Sequence, residues 1–225
     1  MIELQGFGEQ IVKGAVTTLQ VATLSLATGT ILGLCGAMAK LAKSRALNWF
    51  ANGCTTIVRG VPELLVILIL YFGGTVALTA LFGRYIEIDA FSAGVFALTV
   101  VFGAYASEVC RGAITAVPPG QIEAAYALGL PKRLVWRLVI LPQMWRYALP
   151  GLGNLWLVLL KDTALVSVVG LDDLMRKASM AAGSTHDPLT FYGTAAALYL
   201  LFTSVSLLGL TMLERRVSRG IRFAN

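Results

Sequence analysis

Long apolar runs are the feature that most restricts what this chain can fold into. A helix needs about 20 mostly apolar residues to cross a bilayer, and four stretches reach that length: 14–39, 54–82, 91–114 and 190–213. A fifth stretch, 147–170, is interrupted by Lys161-Asp162-Thr163. We expect it to be a span with a broken outer end, because irregular backbone and charge at membrane depth need protein or water around them. The sequence therefore predicts an all-α membrane protein, a single transmembrane domain over residues 1–225 with five transmembrane helices.

Composition supports a membrane protein. Apolar residues make up 57% of the chain and charged residues 13%, against about 25% charged in typical soluble domains. The net charge of +6 would suggest nucleic acid in a soluble protein, but the basic residues here lie beside apolar runs, so we expect a lipid bilayer and no nucleic acid as partner. The three cysteines lie within apolar sequence, which argues against a disulfide framework or a metal site. We expect no cofactor.

The distribution of basic residues predicts the orientation of the spans. Of the 18 lysines and arginines, twelve fall in connections on one side of the membrane. These are Lys40, Lys43, Arg45, Arg111, Lys132, Arg133, Arg137, Arg146, Arg215, Arg216, Arg219 and Arg222. Because cytoplasmic loops are enriched in lysine and arginine, we expect that side to be cytoplasmic, with the amino terminus outside and the carboxyl terminus inside.

The longest connection, residues 115–146, lies on the predicted cytoplasmic side. Pro118-Pro119-Gly120 ends the third span, residues 121–128 read as a short helix with Gly129 as its C-cap, and 132–141 reads as a second, amphipathic helix that Pro142 ends. Two interpretations are open at this point. The pair of helices is either an interfacial hairpin on the lipid headgroups or a knob whose small residues let another protein approach closely.

The residues of this loop resemble a known signature. Glu123-Ala124-Ala125, Gly129 and Ile140-Leu141-Pro142 match the E-A-A loop of the membrane subunits of bacterial ATP-binding-cassette importers. Further matches lie along most of the chain: Arg59-Gly60-Val61-Pro62-Glu63, Tyr105-Ala106-Ser107-Glu108, Arg111-Gly112, Arg146 to Pro150, Asn154, Lys161 to Leu165 and Val169-Gly170. Together they are similar to the polar amino-acid uptake group, and within it to the permeases of histidine/lysine/arginine/ornithine importers.

This resemblance implies a permease without its own motor, in the inner membrane and with the type I importer fold. Glu123, Ala124, Ala125 and Gly129 would dock on a separate ATPase as the coupling element. The chain contains no G-x-x-x-x-G-K-[ST] phosphate loop, so we expect ATP to be hydrolysed elsewhere. The implied partners are two copies of a cytoplasmic ATP-binding subunit, a second permease that is identical or homologous, and a soluble periplasmic or extracellular amino-acid-binding protein.

Two groups of charges fall inside the predicted spans, where each charge needs a partner or a task. Arg59 and Glu108 should reach similar depths from the cytoplasmic side, and Arg111 lies one turn from Glu108. We expect these three residues to form an intramembrane ion pair that fixes helix packing or gating, and the alternative is that Arg59 or Glu108 contacts substrate.

The other group is acidic. Glu63 follows Pro62, which should kink the second span, and it should lie near the midplane, where a carboxylate would hold the cation of a basic amino acid. The alternative is that Arg59 neutralises it. Asp162 either faces substrate too or is compensated by Lys161, for which we expect a structural role. Glu63 and Asp162 are therefore the candidate substrate-binding residues.

Gly29 and Gly33 form a small-xxx-small pair, which predicts that the first span packs closely on another helix.

Two other functions were weighed. An intramembrane enzyme would need a nucleophile with a base, or paired aspartates, and the predicted spans hold no histidine and only Asp162 as aspartate. A self-sufficient secondary carrier would typically show an inverted repeat, and five spans without one argue against it. We therefore expect no catalytic residues in this chain.

Overall fold

The computed structural model describes residues 4–85 and 88–217, and all regular structure within these ranges is helical. We number the helices in chain order. They are α1 (Gly8–Lys40), α2 (Arg45–Gly60), α3 (Glu63–Phe82), α4 (Ala90–Thr115), α5 (Pro119–Ala127), α6 (Lys132–Val169), α7 (Leu174–Thr185) and α8 (Pro188–Val217). Helix α3 contains a π turn at Ile69–Gly73, and α6 contains one at Trp136–Ile140 and ends in a 3₁₀ turn at Ser167–Val169. Arg219 and Arg222, two of the charges used to predict orientation, lie outside the described residues.

Five helices of the described chain are long and apolar enough to cross a membrane: α1, α3, α4, α6 and α8. The predicted fold class, an all-α protein with five transmembrane helices, is confirmed. Helices α1 and α6 begin before the predicted apolar runs because polar residues continue them at one end. Helix α1 begins at Gly8, and α6 begins at Lys132 and includes most of the second half of the loop. The predicted start of the second span at residue 54 is wrong, since that span begins at Glu63 after the break at Pro62.

Helices α1 and α4 pack against each other in parallel. Pairs of contacts advance together along both helices: the Ser25 hydroxyl donates to the Val95 carbonyl at 3.3 Å, and Lys40 Nζ donates to the Ser107 hydroxyl at 2.8 Å. A Cβ atom on Gly33 would lie 2.6 Å from that of Ala106, which is closer than two non-bonded carbon atoms can approach. The predicted close packing of the first span through its glycines is therefore confirmed.

Helix α6 is continuous where the sequence predicted a break. Its α-helical part, Leu141–Val166, passes through Lys161-Asp162-Thr163 without interruption, so the expected broken outer end is wrong. Lys161 is exposed beside Tyr192 and Tyr199 of α8, whereas Asp162 faces a cavity inside the chain. Because the two charges point to different surroundings, both are accommodated on an intact helix.

Pro142 also fails to end its helix. It lies in the first turn of Leu141–Val166, directly after the π turn Trp136–Ile140. A π turn is wider than an α turn and shifts the preceding carbonyl groups, so the proline ring is tolerated there. The amphipathic helix of the loop and the fourth span therefore form one element.

Pro62 has the stronger effect. Helix α2 ends at Gly60, Val61 and Pro62 are extended, and α3 begins at Glu63. The helix is therefore completely broken at Pro62, where only a kink was expected. Residues 54–60, which were predicted to begin the second span, belong to the separate helix α2. The Asn48 side-chain amide of this helix donates to the Lys40 carbonyl, which joins α2 to the end of α1.

The remaining contacts between helices show which polar connections lie at the same end of the bundle. Helix α6 runs antiparallel to α4, since Cβ atoms on Gly151 and Gly94 would meet Val109 and Val166 respectively. Helix α7 packs near the start of α1, where the Leu174 amide donates to the Thr18 hydroxyl at 3.1 Å. The short helix α5 follows the far end of α4. Helices α5 and α7 therefore lie at opposite ends of the bundle.

Candidate substrate cavity and coupling helix

A cavity of about 210 Å³ lies between α3, α4 and α6, level with the middle of α4. Its polar lining is Glu63, Tyr105 and Asp162, and the rest of its wall is apolar: Val101, Phe102, Leu155, Val158 and Leu159. Glu63 is the first residue after the break at Pro62, and Asp162 lies on the inner face of α6. The structure therefore brings together the two acids that the sequence singled out separately.

Tyr105 completes the polar part of the cavity. Its hydroxyl donates a hydrogen bond to Glu63 Oε1 at 3.1 Å, which orients the carboxylate in an otherwise apolar wall. A small apolar cavity with two partly buried carboxylates and one hydroxyl favours a ligand that carries positive charge, because a carboxylate withdrawn from water needs a counter-charge or hydrogen-bond donors.

Glu108 is the centre of a cluster of charges on the α5 side of the cavity. Lys40 Nζ lies 2.8 Å from Glu108 Oε1, Arg111 Nε lies 2.9 Å from Oε2, and Arg59 Nη1 lies 3.6 Å from Oε1. Arg59, Glu108 and Arg111, which were predicted to pair, therefore lie in one cluster. The ion-pair partner of Arg59 is Glu108 and not Glu63. Neutralisation of Glu63 by Arg59, the alternative left open above, is not what the structure shows.

Lys40 is the residue that the sequence analysis assigned wrongly. It was counted among the charges of a cytoplasmic connection, but its side chain is 0% exposed and bonded to Ser107 and Glu108. The last turn of α1 carries it into the bundle because Gly33 and Gly36 let α1 lie directly on α4. The signal that could have found it is its place at the end of an apolar helical run, where a lysine either extends to the interface or pairs with an acid.

The predicted docking residues lie on α5 and directly after it. Glu123, Ala124 and Gly129 are exposed, whereas Ala125 is 5% exposed and packs into the main core. Two residues that were not predicted also present apolar surface there, since Tyr126 is 47% and Leu128 81% exposed. Ala125 thus fixes α5 to the body of the protein, and the other residues form its free face.

Gly129 ends α5 in the left-handed conformation expected of a C-cap, with φ of 77°. The Leu130 amide donates to the Ala125 carbonyl at 3.1 Å and the Gly129 amide to the Tyr126 carbonyl at 2.9 Å. This is the hydrogen-bond pattern of a Schellman motif. The predicted C-cap is confirmed, and it sets the angle at which the chain leaves α5 for α6.

Asp173, at the opposite end of the bundle, is a buried acid that the sequence analysis did not identify. It caps α7 by accepting a hydrogen bond from the Arg176 amide at 2.9 Å, and its Oδ2 has no hydrogen-bond partner among the described residues. Burial raises the pKa of this carboxyl to about 6, against the capping bonds and the charge of Arg176, which lower it.

Comparison with known proteins gives one family for the whole arrangement. Residues 29–219 match the model of the family described as binding-protein-dependent transport system inner membrane component. The chain superimposes on the crystal structure of an amino acid ABC transporter with histidines with a TM-score of 0.81 at 36% identity, covering 92% of this chain and 94% of that one. It also superimposes on an inward-facing methionine ABC transporter with a TM-score of 0.77, where the identity of 20% supports the fold alone.

Three curated relatives extend over nearly the full length. The nopaline transport system permease protein of Agrobacterium fabrum is 48% identical, over 96% of this chain and 94% of its own. The arginine ABC transporter permease protein of Haemophilus influenzae is 47% identical, over 91% and 92%. The histidine/lysine/arginine/ornithine transport system permease protein of Escherichia coli is 43% identical, over 99% of both.

Proposed function

Because this chain belongs to the family of binding-protein-dependent transport system inner membrane components, we propose that it forms the path by which an ATP-driven importer moves cationic amino acids across the membrane. Family membership confirms the predicted multi-pass permease of the inner membrane, working with an ATPase on a separate subunit and with a substrate-binding protein.

The proposal of a cationic substrate rests on two acidic residues that line the same cavity. Glu63 and Asp162 face the same space of about 210 Å³, level with the middle of a membrane-spanning helix. Two carboxylates in apolar surroundings are costly unless cations pair with them. The guanidinium or ammonium of a basic amino acid supplies those cations during transport. The relatives named for nopaline, arginine and histidine/lysine/arginine/ornithine transport are consistent with such a substrate.

The coupling element in this proposal is the free face of α5. It offers Glu123, Ala124, Tyr126 and Leu128 at the end of the bundle away from α7. An exposed leucine and tyrosine around a small residue suit docking into a groove of another protein better than contact with water. ATP-driven closure of two docked ATPase subunits would then move α5, and with it α4 and α6, between inward-open and outward-open states.

A second permease completes the path. Val158, which lines the cavity, is 45% exposed, so the cavity wall continues to the surface of this chain. A second permease, identical or homologous, would cover that opening and provide the second docking site for the ATPase pair. The basic residues at the α5 end, among them Arg133, Arg137 and Arg215, support a cytoplasmic location of that end and of the carboxyl terminus, because cytoplasmic loops are enriched in lysine and arginine. The amino terminus and α7 then face the binding protein outside.

The substrate role of Glu63 is tested by transport of two substrates. We expect Glu63→Gln to reduce ATP-dependent uptake of arginine about tenfold or more, since one tenfold step corresponds to about 1.4 kcal/mol of lost pairing. Uptake of a neutral polar amino acid by the same vesicles should change little. The matched control is Glu9→Gln, which removes an exposed acid paired with Lys13 far from the cavity. Equal loss of both substrates in Glu63→Gln would rule out a cation site at Glu63.

A further inference from the structure

Three cations surround Glu108, but only two of them are hydrogen-bonded to its carboxylate. Lys40 and Arg111 both make hydrogen bonds to Glu108, at 2.8 and 2.9 Å, one to each carboxylate oxygen. Arg59 approaches the same carboxylate only to 3.6 Å, and the described residues give it no hydrogen bond. A guanidinium has five N–H donors, so Arg59 is held in place but its donors are free for another anion.

Arg59 lies beside Tyr105, one of the residues that line the candidate substrate cavity. Its guanidinium carbon lies 5.4 Å from the centre of the Tyr105 ring, the ring whose hydroxyl binds Glu63 and whose atoms line the cavity. Arg59 lies in the last turn of α2 and Glu63 begins α3, with only the end of α2 at Gly60 and the extended residues Val61 and Pro62 between them. The side chain of Arg59 is 39% exposed, which leaves it free to meet a ligand.

The charges along this path match those of a basic amino acid. Asp162 and Glu63 provide two negative charges within the cavity, and Arg59 provides one positive charge at the end nearer α5. A basic amino acid carries two cations, the α-ammonium and its side chain, and one α-carboxylate. Arginine binds carboxylates through two parallel hydrogen bonds, which gives this contact a defined orientation as well as charge.

We propose that Arg59 is the residue that binds the α-carboxylate of the transported amino acid, so that this chain selects basic amino acids over amines that carry the same two cations but no carboxylate. This inference rests on the proposed function, because it places the substrate cations at Glu63 and Asp162. Loose pairing with Glu108 keeps the guanidinium in position before substrate arrives, and the face of Tyr105 supports it through a cation–π contact.

The test compares arginine with agmatine, which is arginine without its carboxylate. Binding of each to the assembled transporter, purified with its ATPase and second permease and without binding protein, is measured by calorimetry. The native assembly should bind arginine about tenfold or more tightly than agmatine, as expected for loss of one charge pair. Arg59→Gln should lower arginine affinity by that factor and leave agmatine affinity within about twofold, so that the preference disappears.

Arg111→Gln is the matched control, since it removes the other partly exposed guanidinium beside Glu108 and should keep the preference for arginine. The native comparison needs no variant, so equal binding of arginine and agmatine by the native assembly overturns the proposal even if Arg59→Gln does not assemble. Equal losses for both ligands in Arg59→Gln also overturn it and make Arg59 a structural residue. Glu63→Gln separates the two claims: it should weaken both ligands, and if it weakens neither, the cation site is wrong whatever Arg59 does.

Discussion

At the scale of single residues, the cluster around Glu108 predicts a specific pattern of stability. Among the described residues, Glu108 supplies the only carboxylate bonded to Lys40, whose side chain is 0% exposed, and Glu108→Gln removes it. Breaking a buried ion pair in this way costs about 3–5 kcal/mol, because the remaining charge is left unpaired. Lys40→Met should cost less, since Glu108 keeps its bond to Arg111 at 2.9 Å.

The double variant Lys40→Met with Glu108→Gln is the informative measurement. It removes both members of the pair, so its thermal unfolding midpoint in detergent should lie above that of Glu108→Gln alone. A double variant less stable than either single one would mean that Lys40 is stabilised by something other than Glu108.

A second prediction at this scale concerns Asp173 and pH. Its raised pKa, about 6, means that the folded protein keeps a proton that the unfolded chain loses near 3.8. Folded stability from this group is therefore greatest at low pH and falls as pH rises to about 6, by at most about 3 kcal/mol. Asp173→Asn keeps an N-cap and should abolish that fall, as measured by the unfolding midpoint between pH 4 and pH 7.

Asp172 provides the control of opposite sign. Lys177, hydrogen-bonded to it at 2.7 Å, lowers the pKa of this exposed carboxyl, so its contribution is lost as pH falls. Asp172→Asn should therefore reduce stability near neutral pH and leave the fall due to Asp173 in place. An unchanged pH profile in Asp173→Asn would show that this carboxyl ionises as freely in the folded as in the unfolded protein.

The candidate functional residues could be predicted from the sequence only as far as each stood out alone. Glu63, Asp162, Arg59 and Glu108 were singled out because charge inside an apolar run is rare and needs a reason. That Glu63 and Asp162 share a cavity depends on how α3 and α6 pack, which their separation in sequence does not reveal. Tyr105 was not predicted as a hydrogen-bond partner of Glu63, because a tyrosine within a span is common. Its position one turn before Glu108 was the available signal.

At the scale of elements, the contact between α1 and α4 gives the clearest prediction. A methyl group on Gly33 would lie 2.6 Å from the Cβ of Ala106, so the two helices must separate to accept it. We expect Gly33→Ala to destabilise the protein by about 1–3 kcal/mol, the usual cost of overpacking a close contact. The measurement is the thermal unfolding midpoint of the purified protein.

Gly53 is the matched control for this change. It lies inside α2, where an added Cβ would meet nothing within 4 Å. Gly53→Ala should leave stability unchanged or raise it by up to about 1 kcal/mol, since alanine favours helix more than glycine does. Equal unfolding midpoints for Gly33→Ala and Gly53→Ala would show that α1 and α4 do not need a glycine at position 33 to pack closely.

The prolines show where local sequence rules are insufficient. Pro62 ends α2, whereas Pro142 and Pro150 both lie within the helical segment Leu141–Val166. The break at Pro62 was predicted in part, as a kink, whereas the predicted helix end at Pro142 is wrong. Whether a proline ends a helix depends on what replaces the lost hydrogen bond, and for Pro142 a π turn just before it changes the backbone. A π turn has no reliable sequence signature, so this outcome could not be read from the sequence.

At the scale of the whole molecule, the sequence was most informative. Five apolar runs and the distribution of basic residues sufficed to predict five spans and their parallel or antiparallel order, because the bilayer allows few alternatives. The ends of the helices were less well predicted, since polar residues at the interface continue a helix as readily as they end it. The parallel pairing of α1 with α4 then places α5 and α7 at opposite ends of the bundle.

Import driven by a separate ATPase requires α5 to be cytoplasmic and in contact with that ATPase. The most direct test is labelling of Leu128→Cys, at an 81% exposed position on α5, with a membrane-impermeant maleimide. The background carries Cys35→Ala and Cys54→Ala, because those two cysteines are exposed and Cys110 is buried. Ser184→Cys on α7, an exposed position at the other end of the bundle, reports the opposite side.

We predict that Leu128→Cys reacts only in inside-out vesicles and that bound ATPase subunits protect it, whereas Ser184→Cys reacts only in intact cells or right-side-out vesicles. Reaction of Leu128→Cys from the outside, or equal reaction with and without the ATPase, would contradict the account.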